Sequence, residues 1–382
     1  MPTYADLLLQ RADDDHPGLI FEERQWSWRA VVQESADRAA LVTPGDHVGL
    51  LLDNLPDYVF WLGACALKGA TLVGLNSTRR GDQLAGDLIH TDVTLLLTET
   101  RHLDALPSNS GARLIEDLQI PAGASLSVDP SVTEATQLLL LFTSGSTGAP
   151  KAVICSSGRL ARIAGNGPSL FGLTREDVTY QAMPMFHGNA LMANVALATG
   201  LGSTIVLRRT FSASGFLSDV RRYNCTYFNY VGRSLAYVLA TPPKPEDADN
   251  QLRLGFGTEA SSRDMDAFTE RFGCPLVESY GSSEGAISIR KVPGTPRGAL
   301  GRPPEGMPVA IHDETGQECP RAEFNQHGAL LNGHVAIGEI VGLEAASAFE
   351  GYYKNTEAEA QRIAGKLYRT GDLGYRDVDG WF

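Results

Sequence analysis

The sequence predicts an α/β protein: two α/β subdomains with largely parallel sheets packed through helices, plus a small β-rich, barrel-like subdomain. Three observations predict it. Short apolar runs alternate with stretches of helical periodicity between residues 47 and 98, the pattern of strands joined by crossover helices. The same alternation returns between 204 and 280, and two such stretches imply two sheets. From Pro293 onward the texture changes to Gly/Pro turns between short runs at 309–312, 329–331 and 339–341, which reads as a compact β unit. The expected division is therefore an α/β core over residues 1–292, without a clear boundary between its two subdomains, and a β-rich subdomain over 293–382.

Residues 17–26 read as a hairpin or strand, and 28–41 carries apolar residues at helical spacing before the Pro44-Gly45-Asp46 turn. A strand follows at 47–52, a helix at 56–67 with Pro56 in its first turn, a strand at 70–75, a helix at 80–89 and a strand at 93–98. Residues 107–134 are rich in Ser, Pro, Gly and Ala and read as a connection. In the second half, strands at 204–207, 226–231, 252–255 and 276–280 alternate with helices near 188–200, 214–223, 232–240 and 263–272.

A chain of 382 residues with 43% apolar and 20% charged positions can bury a large core. Its formal charge of −13 argues against nucleic acid or an anionic membrane as the main partner, because neither attracts a net-negative protein over long range. The five cysteines (Cys65, Cys155, Cys225, Cys274, Cys319) are odd in number and mostly set in apolar stretches. They read as buried thiols of a reducing cytoplasm, not as disulfides or a zinc site. The start of the chain has neither a basic segment nor a long apolar one, so no signal peptide is expected. Gly63, Lys68, Gly69 and Gly74 break up the most apolar stretch, so no transmembrane segment is expected either.

The chemistry centres on Thr143-Ser144-Gly145-Ser146-Thr147-Gly148-Ala149-Pro150-Lys151, directly behind the apolar run 138–142. A buried strand that stops in such a loop can cradle phosphate. The two glycines let backbone amides turn inward, the hydroxyls add donors, and Lys151 supplies a positive charge. Walker spacing is absent, since Pro150 precedes the lysine and Ala152 follows it. Two further turns sit where ligands bind in open α/β folds or where a carboxylate follows glycine: Tyr280-Gly281-Ser282-Ser283-Glu284-Gly285 at the end of a strand, and Tyr368-Arg369-Thr370-Gly371-Asp372. Taken singly, either turn is more often structural.

Together, in this order and spacing, the three segments resemble the signatures of the adenylate-forming superfamily, which includes acyl-CoA synthetases, peptide-synthetase adenylation domains and luciferases. The resemblance runs from the Gly45-Asp46-His47-Val48 strand to Phe382. It implies that Thr143, Ser144, Gly145, Ser146, Thr147, Gly148 and Lys151 hold ATP phosphates. Tyr280 would stack on adenine, Ser283 would bond the α-phosphate, Glu284 would bind Mg2+, and Asp372 would take the ribose hydroxyls. Serine at 283 replaces the family's threonine, which keeps the hydroxyl and loses a methyl. Thr258, Glu259 and Ala260 would pass along adenine, with Glu278, Ser279, Gly281 and Ser282 flanking the stacking tyrosine. His187, in Met183-Pro184-Met185-Phe186-His187-Gly188, would lie near the substrate carboxylate.

Tyr230-Val231-Gly232-Arg233, the 252–257 segment and Phe349-Glu350-Gly351-Tyr352-Tyr353-Lys354-Asn355 look most similar to the fatty-acid-transport-protein branch and to bacterial enzymes for very-long-chain or steroid-like acids. The implied reaction joins a bulky or long-chain carboxylic acid to ATP and then to CoA. Loading of a carrier protein, or non-catalytic binding of acyl-adenylate or AMP, are the alternatives. An acyl pocket is expected between His187, Tyr230 to Arg233, Gly255 to Gly257 and Gly281. On the resemblance, the chain stops just short of a hinge leading to a mobile C-terminal domain of roughly 100 residues.

Overall fold

The computed structural model describes residues 2–143 and 151–382. Two open sheets and one small antiparallel sheet make up the molecule. The six-stranded sheet is built from Arg113–Leu114, Leu95–Thr98, His47–Leu51, Thr71–Gly74, Gln137–Thr143 and Lys151–Ser156, in that spatial order. Its neighbours are parallel except for the last two strands, which form an antiparallel hairpin with Thr143 opposite Lys151. The central strands are buried along their whole length, which explains why they read as continuous apolar runs.

The eight-stranded sheet runs Ser288–Arg290, Leu276–Gly281, Leu254–Thr258, Tyr227–Val231, Val178–Gln181, Thr204–Leu207, Pro17–Phe21 and Arg24–Ser27. All its inner pairings are parallel. The N-terminal hairpin thus joins the sheet of the second half, pairing Leu19 with Ile205. The eight-stranded unit is therefore not a continuous stretch of chain, since every strand of the six-stranded sheet lies in sequence between its N-terminal hairpin and the rest of it, which is why no boundary between the two was legible.

Helices fill the space between the two sheets. Trp28–Ala39 packs against Pro56–Lys68, and Trp28, Tyr58 and Trp61 are fully buried there. Ser27 caps the first of these helices through the Ala30 N–H, and Gly69 ends the second in the left-handed conformation at φ 69°. The region expected as one helix near 188–200 is Gly188–Ala190, a π-helical Leu191–Val195 and Ala196–Leu201. Its π segment holds the buried Asn194, whose amide donates to Tyr180 O and Asn229 Oδ1 at 3.1 and 3.0 Å. The strand expected at 252–255 is Leu254–Thr258. The strand at Val178–Gln181 and the helix Ser157–Ala164 carried no expectation.

The third sheet consists of Val309–His312, Gly338–Gly342, Leu367–Gly374 and Ile363–Ala364, all antiparallel. Its core also takes in Val153, Ala286, Ile287 and Ile289 from the α/β part, so packing crosses the sequence boundary at 292. Backbone pairing crosses it too. Ile154 N donates to Gly351 O at 3.1 Å and Tyr353 N to Ala152 O at 2.8 Å, which lays residues 351–353 along the edge of the six-stranded sheet.

Candidate active site

Ser144, Gly145, Ser146, Thr147 and Gly148 of the expected phosphate loop lie outside the described residues. Both ends of the loop are fixed by the hairpin that places Thr143 opposite Lys151. Lys151 is 5% exposed, with its Nζ 5.8 Å from the centroid of the Tyr352 ring, close enough for a cation–π attraction.

The turn after Leu276–Gly281 carries Ser282, Ser283 and Glu284, closed by Gly285 N donating to Ser282 O at 3.0 Å. From beneath, the buried Arg159 donates to Ser283 O at 2.5 Å and to Ile154 O at 3.2 Å. Gly285 is at φ 68°, and a Cβ there would lie 2.1 Å from an Arg159 nitrogen, so glycine is required for the turn to sit on the guanidinium. Ser283 Oγ would lie 3.2 Å from a Cβ on Gly188, which brings the expected α-phosphate hydroxyl next to the His187 segment.

Glu284 is buried, and its Oε1 accepts from the Tyr352 hydroxyl at 2.8 Å. That hydroxyl in turn accepts from Arg362 Nε at 3.3 Å. Burial, and then the nearby Glu284 carboxylate, push the Tyr352 phenol up to about 12, so it stays a donor at neutral pH. A buried hard oxygen ligand fits magnesium. Among the described residues Glu284 belongs to no group of three or more metal-ligating side chains, so phosphate oxygens and water would complete the coordination, the usual way this ion is held on nucleotides. The group that does cluster, Asp53, Glu99 and His102, is already paired with Arg101 and Arg209.

Tyr280 and Asp372 come together. The tyrosine hydroxyl donates to Asp372 Oδ2 at 2.6 Å, joining the eight-stranded sheet to the exposed end of Leu367–Gly374. Thr258, Glu259 and Ala260 leave the end of their strand beside it. Glu259 turns at φ 69°, and Glu278 Oε1 accepts the Ala260 N–H at 2.8 Å. Ser279 pairs with Arg290 and Gly281 with Ser288 across the sheet edge.

His187 is exposed. Its ring lies against Phe186 with centroids 4.4 Å apart. Desolvation by the surrounding protein lowers its pKa below the ordinary histidine value, so the imidazole is neutral at pH 7. The segment before it is tied down by Asn54, whose amide donates to Met183 O at 3.1 Å and whose oxygen accepts the Met185 N–H at 2.9 Å.

The expected acyl wall at Gly255 and Gly257 is corrected. A Cβ on Gly255 would meet the Phe228 ring at 2.5 Å, and one on Gly257 the Tyr230 ring at 2.4 Å. These glycines make room for aromatic side chains of the neighbouring strand, not for a ligand. An aromatic-lined cavity of about 10 Å³ borders the same rings, with Met183, Phe211, Phe216 and Leu235 among its walls, and is no larger than one water molecule requires.

Sequence reasoning missed Tyr352, Arg362 and Arg159. The Phe349 to Asn355 segment had been singled out only for its likeness to one branch. Its pair of tyrosines was the available signal for Tyr352. Arg159 and Arg362 stand in ordinary helical stretches, Ser157–Ala164 and Thr356–Arg362, and carried none.

The AMP-binding enzyme family matches residues 9–353. A steroid-22-oyl-CoA synthetase of Rhodococcus jostii is 48% identical over 99% of this chain and 71% of its own length. The medium/long-chain-fatty-acid–CoA ligase FadD17 of Mycobacterium marinum is 39% identical over 100% of this chain and 75% of its own length. Among solved structures, a benzoate CoA ligase from Burkholderia xenovorans shares the fold with a TM-score of 0.83 at 19% identity, over 100% of this chain and 79% of that one. The chain belongs to the AMP-binding enzyme family.

Proposed function

We propose that the protein activates a bulky carboxylic acid, a steroid side-chain acid before a long-chain fatty acid, to its acyl-adenylate and then to its CoA thioester. The observation that carries this reading is a run of contacts among the three sheets, from Lys151 to the Tyr352 ring, from the Tyr352 hydroxyl to Glu284, and, four residues before Glu284, from Tyr280 to Asp372. The 48% identity to a steroid-22-oyl-CoA synthetase supports the choice of acid. The CoA-ligase names of the relatives favour CoA over a carrier protein as acceptor. Five free, buried thiols support a cytoplasmic setting, and among the described residues no helix is long and apolar enough to cross a membrane.

In the first step a carboxylate oxygen of the acid attacks the α-phosphorus of ATP and pyrophosphate leaves. In the second the CoA thiol attacks the acyl carbonyl and AMP leaves. Two anions must meet in the first step, so the protein's contribution is orientation and charge compensation. Lys151 faces the phosphates, with the Thr143 to Gly148 loop assigned to the same groups. Ser283 Oγ is assigned to the α-phosphate oxygen, and neutral His187 to a hydrogen bond with the acid. Magnesium held by Glu284 would neutralise phosphate charge. Tyr280 and Asp372 hold adenine and ribose, with the Thr258 to Ala260 backbone along the base.

The test is a panel of acids with ATP, magnesium and CoA. A steroid side-chain acid and long-chain fatty acids should release pyrophosphate and yield AMP and thioester. Turnover of acetate or amino acids alone, or release of ADP in place of AMP, would overturn the reading.

A further inference from the structure

The residues assigned to the nucleotide come from separate elements, and one side chain touches two of them and reaches a third through Arg362. Tyr352 is 2% exposed and held by backbone pairing of residues 351–353 against Lys151–Ser156. Its amide donates to Glu359 Oε1 at 2.7 Å. Its ring lies beneath the Lys151 ammonium, and its hydroxyl donates to Glu284. Arg362, which donates to that hydroxyl, also donates to the carbonyls of Arg369 and Thr370, immediately before Gly371 and Asp372.

Resting on the assignment of Glu284 to magnesium above, we propose that Tyr352 is a positioning residue that sets the Glu284 carboxylate for the nucleotide-bound metal ion. The direction of the hydrogen bonds is fixed by chemistry. A guanidinium can only donate, so the phenol oxygen accepts from Arg362 and its single proton is left for Glu284 Oε1. One carboxylate oxygen is thereby pinned, and the other is left to ligate. Hydrogen-bond partners of metal ligands commonly set affinity for the ion by 10- to 100-fold, although they never touch it. Because the chain of contacts runs from Lys151 through Tyr352 and Arg362 to the strand of Asp372, the same side chain ties the phosphate end of the site to the ribose end.

The experiment measures ATP binding to the full-length protein by calorimetry, once in EDTA and once in excess Mg2+, for wild type, Y352F and R362Q. The wild type should bind ATP more tightly with Mg2+. Y352F should keep the EDTA affinity, which also shows that it is folded, and lose about tenfold of the Mg2+-dependent gain. R362Q removes the guanidinium and shortens the side chain, so that it no longer reaches the phenol, and should lose a smaller part of that gain, an order that a merely structural role would not produce. A full Mg2+ gain in Y352F would overturn the proposal, as would an equal loss with and without Mg2+. If the wild type itself shows no Mg2+ gain while still forming thioester, the magnesium assignment fails and this proposal with it, whereas the acyl-CoA ligase reading stands.

Discussion

In the proposed site Tyr280 has two parts, a ring assigned to the adenine face and a hydroxyl that holds Asp372 at 2.6 Å. The two can be separated by substitution. Stacking of a base on an aromatic ring contributes roughly 1–3 kcal/mol, so Tyr280→Ala should weaken AMP binding about tenfold or more. Tyr280→Phe keeps the ring and removes only its bond to the exposed Asp372 carboxylate, a net contribution on the order of 1 kcal/mol. It should therefore weaken AMP severalfold at most, and Asp372→Ala should fall between the two if the carboxylate also takes the ribose. Burial chiefly, and then the hydrogen bond to Asp372, raise the Tyr280 pKa. The hydroxyl therefore stays protonated through neutral and mildly alkaline pH, and AMP affinity should be flat between pH 7 and about 9 as far as this group is concerned. Calorimetry at several pH values checks both claims, and equal affinity in wild type and Tyr280→Ala would remove Tyr280 from the site.

At the scale of elements, the approach of the strand Tyr227–Val231 and the helix Gly232–Leu239 to the Glu259 turn depends on one missing methyl. A Cβ on Gly232 would lie 2.1 Å from the Glu259 carbonyl oxygen and 2.8 Å from Ala260 N, and backbone cannot rotate away as a side chain can. Gly232→Ala should cost about 1–3 kcal/mol and displace the segment expected along adenine, so nucleotide affinity should fall with stability. Gly86 provides the contrast, lying inside the helix Gly81–His90 with open space around it. Gly86→Ala should stabilise by about 0.5–1 kcal/mol. Urea midpoints of the two variants should move in opposite directions. The same elements show what a sequence can disclose. Apolar runs such as Leu138 to Phe142 were legible as strands because both faces are buried, and the glycine-flanked carboxylates Glu284 and Asp372 were legible because turn chemistry is local. Val178–Gln181 was missed because four residues with polar positions, Thr179 and Gln181, buried by partners far away in sequence carry no period of their own. Gly255 and Gly257 were misread for the same reason, since the rings that cover them belong to the neighbouring strand.

The molecule as a whole is knitted at the point where the sequence changes texture. The small sheet does not close a core by itself. Val309, Ile311, Ile340, Tyr352, Tyr368 and Phe382 bury their apolar surface together with Val153, Ile287 and Ile289 from the α/β part. Polar ties reinforce the seam, with Ser156 N and Oγ donating to the Glu350 carboxylate at 2.7 and 2.6 Å and the Tyr353 hydroxyl donating to Asp92 at 2.6 Å. The proposed site sits on this seam, since Lys151 and Glu284 come from one side and Tyr352, Arg362 and Asp372 from the other. Cutting after residue 292 should therefore do more than delete contacts to ATP. It would uncover Val153, Ile287 and Ile289 and strip the edge strand Lys151–Ser156 of its backbone partners at 351–353, leaving unpaired donors beside exposed apolar side chains. A fragment of residues 1–292 should bind a hydrophobic dye strongly, aggregate at micromolar concentration and unfold without a sharp transition. Thermal melts with dye fluorescence, run beside the 382-residue chain, check this. A fragment that melts cooperatively and leaves the dye dark would show that the α/β part closes its core without the third sheet, and the shared core at the seam would then contribute little to its folding.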